Sequence, residues 1–128
     1  MAMNDMLCSE LANILKGDGK VKNNVCTVSS DRKNLNVKLL GNQLHTGNMF
    51  SFEQSTEPGK SLITGEIVLL ENEVPYIVSS LYNQGITVSA IHNHWLGDQP
   101  HLIYVHFEAL MEPRTFANKV AYILSSIE

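Results

Sequence analysis

No run of apolar residues in this chain approaches the roughly 18 that a membrane-spanning helix needs. The N-terminus, MAMNDMLCSELANIL, also lacks the basic segment and long apolar stretch of a secretory signal. A cytoplasmic protein away from the membrane is the simplest expectation. Basic residues are few: nine Lys and Arg stand against 13 Asp and Glu, for a formal net charge of −4. Without a basic field to release counterions from phosphates, a nucleic acid polymer is not an expected partner. A small anion held by local donors is still compatible with this balance. Cysteine is scarce too. Cys8 and Cys26 match no metal-binding spacing, and both read as reduced thiols buried as small hydrophobes. The chain has no Gly-x-Ser-x-Gly elbow, no phosphate loop and no Gly-x-Gly-x-x-Gly fingerprint, so no catalytic nucleophile stands out. It has no internal repeat and no low-complexity tract.

What is present is the composition of an ordinary globular protein: 128 residues, 44% apolar and 17% charged. That length suits one domain spanning 1–128. Asp5 or Asn4 can cap a helix running to about Lys16, with Leu7, Leu11, Ile14 and Leu15 on one face and Gly17 ending it. Lys16 to Asn24 is polar and reads as a loop. Val25–Ser29 and Leu35–Leu40 read as strands joined by a polar turn, and Met49–Glu53 as a short third strand.

The second half has clearer grammar. Leu62–Leu70 is a strong strand. Glu71–Gln84 is a helix with acidic residues in its first turn and Pro75 where a proline is tolerated. Ile86–His94 and Leu102–Glu108 are strands, and Pro113–Ile127 is a helix with Phe116, Val120, Ile123, Leu124 and Ile127 at core spacing. The class is therefore α+β: a mixed or antiparallel sheet with helices packed on one face and a β-α-β-β-α second half. A right-handed crossover is expected to make the Leu62 and Ile86 strands parallel neighbours.

Four of the five histidines lie within fifteen positions: His92, His94, His101 and His106. Alternate side chains of a strand share a face, so His92 and His94 point the same way, with Ile86, Val88 and Ala90 behind them. Two such imidazoles offer metal ligands from a strand end. They equally offer donors and acceptors to a polar ligand. His106, between Val105 and Phe107, is a third candidate or a core residue satisfied by a carbonyl. His101 follows Pro100 and is a further candidate metal ligand or simply exposed, and His45 is expected to face solvent. Glu66 lies mid-strand among apolar residues. Glu71 and Glu73 lie at the end of that strand, where they either join the histidines or offset a helix dipole. Trp95, Tyr104 and Phe107 are candidates for an aromatic wall, with core packing the plainer use of Phe107.

The segments TGEIVLLENEV and LYNQGITVSAIHNHWLGDQPHLIYVHF resemble the LppY/LpqO family of bacterial proteins from about Leu35 onward. The most specific part is Ala90-Ile91-His92-Asn93-His94, followed by Pro100 and by His106-Phe107; Gly65-Glu66 and Glu73-Val74 also fit. Named members look like exported lipoproteins, and many carry two copies of the unit. A single copy without a leader implies a homodimer in place of the tandem pair. The resemblance marks Glu66, Glu73, His92, Asn93, His94 and His106 as site candidates. His101 stands where arginine is expected, and Glu108 where an aromatic is usual.

Three uses compete. The first is a small-molecule-binding protein, with His92, Asn93, His94, His106, Glu66 and Glu73 around a polar ligand and Trp95 or Tyr104 stacking on it. A nucleotide-like or sugar-like ligand, held by sequestration, is one concrete form. The second is a divalent-metal-dependent hydrolase or lyase, with zinc or another ion on His92, His94 and a third ligand, and Glu73 taking a proton from bound water. The third is a structural or interaction domain.

Overall fold

The computed structural model describes residues 3–128. Helix α1 spans Asp5–Leu15, and the Asn4 side chain caps it by accepting from the Leu7 N–H at 2.8 Å. Its stop is one residue earlier than Gly17: Lys16 itself takes the left-handed conformation, with φ 58°. The polar stretch after it is a strand and not the expected loop. Strand β1 (Asp18–Lys22) pairs antiparallel with β2 (Val25–Asp31). Asn23 and Asn24 between them both have positive φ, the conformation that a two-residue hairpin of the primed type requires and asparagine tolerates. Polarity misled here because β1 is an edge strand with nearly all its residues exposed.

Strands β3 (Val37–Leu39), β4 (Asn42–Leu44), β5 (Gly47–Gln54), β6 (Ser61–Leu70), β7 (Thr87–His92), β8 (Asp98–Gln99) and β9 (Leu102–Met111) complete the β structure. A six-stranded sheet runs in the order β1-β2-β5-β6-β9-β7, and a small sheet in the order β4-β3-β8. The expected hairpin between the Val25 and Leu35 strands does not form: β2 pairs with β5, while β3 belongs to the small sheet. Helix α2 (Val74–Asn83) follows a short turn at Glu71–Glu73, and α3 (Pro113–Leu124) closes the chain. The class is α+β, and every pairing among the described residues is antiparallel.

That last point corrects the expected parallel neighbours. β6 and β7 do run in the same direction, but β9 lies between them and pairs with both. Placing β9 centrally buries Val105 and Phe107 under the helices, which an edge position would have left half-covered. All three helices pack on one face of the large sheet. There Leu11, Phe50, Phe52, Ile67, Ile77, Phe107 and Phe116 form a continuous core. Among the described residues, no helix packs on the opposite face. The small sheet covers one end of it, around Val37, Val68, Leu102 and Tyr104, with Trp95 packed alongside.

The cysteines are not free. Cys8 of α1 and Cys26 of β2 form a disulfide with Cα atoms 5.6 Å apart, contrary to the expectation of two reduced thiols. Both are buried, which is why composition alone read them as core hydrophobes. No described helix is long and apolar enough to cross a membrane.

Candidate metal centre

Register brings the site together from three strands. Across the large sheet, Glu66 of β6 stands opposite His106 of β9, and His106 stands opposite Ala90 of β7. One pair further on, Val68 faces Tyr104 and Tyr104 faces His92. Glu66, His106 and His92 thus share the helix-free face, and His94 follows at the end of β7. A β-bulge between Val88 and Ala90 sets this arrangement. The expected unbroken alternation would put Val88 on the histidine face. With one extra residue at Ser89, Val88 packs toward the helices and Ala90 and His92 turn outward.

The rings gather there. His92 stacks on His94 at 5.0 Å between centroids and on His106 at 4.8 Å. One ligand-capable atom from each of His92, His94 and His106 lies within 4.8 Å of the others. Donors bound to one ion at about 2.1 Å lie at most about 4.2 Å apart. Four donors placed tetrahedrally lie closer still, about 3.4 Å apart, so the cluster is more open than a loaded site and the rings would draw together around an ion. Glu66 Oε2 approaches His106 Nε2 at 3.5 Å and His94 Nε2 at 3.9 Å. His106 Nε2 is shut off from solvent and has no hydrogen-bond partner. A buried unpaired ring nitrogen is costly, and a cation among these donors would satisfy it.

Aromatic groups back the cluster. The Tyr104 ring lies 4.1 Å from that of His94, and its hydroxyl is 3.0 Å from Thr46 Oγ1, so it is held from the small-sheet side. Trp95 tilts against His94 at 5.9 Å, with its indole N–H buried and unpartnered. Asn93 is exposed, and its amide donates to the Trp95 carbonyl at 3.0 Å, shaping the turn. Phe107 points to the helix side, into the core.

Two candidates from the sequence are engaged elsewhere. His101 is not in the histidine group among the described residues; its Nδ1 lies 2.9 Å from Asp98 Oδ1. Asp98 is buried, which alone would raise its pKa. Hydrogen bonds from the Leu102 N–H and the His101 ring outweigh that, and the carboxyl is held below its ordinary value. Glu73 accepts from both terminal nitrogens of Arg32 at 3.1 Å and from the Leu70 N–H at 2.8 Å. A carboxylate so occupied is no proton acceptor for water at the histidines. Arg32 itself was not singled out in the sequence. A lone arginine in a polar turn carries no signal until folding buries it. His45 is exposed, as expected.

A family model described as Domain of Unknown Function (DUF1259) matches residues 9–126, and the chain belongs to that family. Searches of the curated proteins and of the solved structures found no match.

Proposed function

We propose that the chain is a metal-binding domain, in which His92, His94, His106 and Glu66 hold one divalent transition ion and present it to a small molecule. The observation that supports this most is the stranded His106 Nε2, facing Glu66 Oε2 and grouped with two further imidazoles. Three imidazoles and a carboxylate suit zinc, iron or nickel better than magnesium or calcium, which favour all-oxygen sets. An ion held by these residues would supply Lewis acidity to a group that reached it. The chain's own residues orient it. Tyr104 and Trp95 pack against His94, and the bulge at Ser89 aims His92. The exposure of His92 and His94 leaves the cluster open to solvent on one side.

This reading joins the two leading expectations, ligand binding and metal chemistry. The motif from Ala90 to His94 with His106-Phe107 supports the finer LppY/LpqO assignment as part of the same proposal. The Cys8–Cys26 bond favours an oxidising compartment over the cytoplasm, because cytosolic reductants keep most thiols reduced.

The test is metal content after loading with zinc and desalting. The wild-type protein is expected to retain one equivalent. His92→Ala, His94→Ala and His106→Ala are each expected to lose it, while His101→Ala keeps it. A wild-type protein that retains no ion, or triple-alanine protein that retains as much, overturns the proposal.

A further inference from the structure

Beside the cluster, along the helix-free face, runs a groove of about 380 Å³. Glu66 and His106 form part of its wall, so it opens directly onto the proposed metal ligands. Register explains its chemistry. One cross-strand row contains Met49, Glu66, His106 and Ala90. The next contains Ser51, Thr64, Glu108 and Thr87. Side chains in such a row stand about 4.5–5.5 Å apart at Cβ. Ser89, the bulged residue, adds a further hydroxyl at the rim.

Three properties of this groove select a ligand. First, none of the Ser51, Thr64, Ser89 or Glu108 side chains makes a hydrogen bond within the described chain. These are free donors and acceptors on neighbouring strands of one face. Second, no lysine or arginine lines the groove, whereas Glu66 and Glu108 do. With Glu66 engaged by the ion, a phosphate reaching along the groove away from it would meet the Glu108 carboxylate and no side-chain cation. Third, Met49 is exposed at 46% and supplies an apolar floor on which the C–H face of a ring can rest.

We infer that the groove takes a neutral polyhydroxylated molecule, of the sugar or polyol class, with adjacent hydroxyls on the metal and others on Thr64, Ser51 and Glu108. This rests on the metal reading above. It selects the sugar-like form of the ligand over the nucleotide-like one. Hydroxyl groups both donate and accept, so one such ligand satisfies the serine and threonine hydroxyls and the Glu108 carboxylate together. A bound ion in turn gives two hydroxyl oxygens a site that water alone would otherwise fill.

The experiment uses protein loaded with Mn²⁺ and desalted, with retained metal measured by electron paramagnetic resonance. Proton line broadening is then recorded for myo-inositol, D-glucose and adenosine monophosphate. The polyol and sugar lines are expected to broaden, and the effect to fall at least fivefold in Thr64→Val/Glu108→Gln protein that still retains Mn²⁺. Broadening of the nucleotide alone, broadening of none, or equal broadening in the double variant overturns the inference while leaving the metal site standing. Should desalting strip Mn²⁺, the weakest binder of the series, the same ligands are compared on zinc-loaded protein by saturation-transfer difference, with the same outcomes; loss of zinc as well overturns both, and the metal measurement tells the two failures apart.

Discussion

Asp98 shows at the scale of one residue how a neighbour decides what a histidine is for. His92 and His101 look alike in sequence, each at a strand boundary. Asp98 claims the His101 ring and caps the Leu102 N–H at 2.8 Å, which fixes the chain's entry into β9. Because the Asp98 carboxyl is held below its ordinary value, its ionised form is favoured by folding. Its contribution to stability is complete above the unfolded-state pKa of about 4 and fades as pH falls through the lower folded value. Urea unfolding of wild type and Asp98→Asn is expected to differ most near pH 7 and to converge toward pH 3. A gap that widens on acidification refutes this account. Glu66 and His106, by contrast, were readable as candidates from their odd placement among apolar neighbours. Glu73 was readable only as a carboxylate, since its partner Arg32 lies 41 positions away.

Among the elements, β7 carries the clearest departure from sequence periodicity. Alternation expected His92 and His94 on one side of a strand reaching His94; β7 ends at His92, and the two rings stack all the same. It assigned Ile86 and Val88 to the wrong face, because a bulge adds a residue without altering composition. The loop expected before Asn24 turned out to be β1, and here too the pattern was silent: an exposed edge strand has no apolar face to reveal it. Helix α1 is joined to β2 by the Cys8–Cys26 bond, across 18 positions. Closing a loop of that size restricts the unfolded chain by about 3 kcal/mol. Cys8→Ser/Cys26→Ser protein is expected to unfold at lower denaturant with a stability loss of that order. An unchanged midpoint in urea, with the wild-type bond shown intact by thiol titration, contradicts it.

For the whole molecule, Arg32 is a tie between distant parts. Its guanidinium donates to the Val68 carbonyl at 2.7 Å, to Glu73, and to the Ile127 carbonyl at 3.3 Å. The segment after β2, the end of β6, the start of α2 and the chain's last turn thus meet at one buried cation. Arg32→Met leaves Glu73 without its partner and is expected to destabilise by about 3–5 kcal/mol. Arg32→Met/Glu73→Leu, which removes both charges, is expected to recover much of that loss. Thermal unfolding checks both. If the double variant is as unstable as the single one, the ion pair is not the cause.

Local physics determined the helices, the strands of the second half and the pairing of His92 with His94, because periodicity, caps and turn residues act within a few positions of chain. The same information marked Glu66 and His106 as unusual without saying that they face each other. Tertiary structure decided that. Only when β9 enters between β6 and β7 do three strands set Glu66, His106 and His92 on one helix-free face, and a sheet's strand order is settled by which faces bury best together, not by neighbours in sequence.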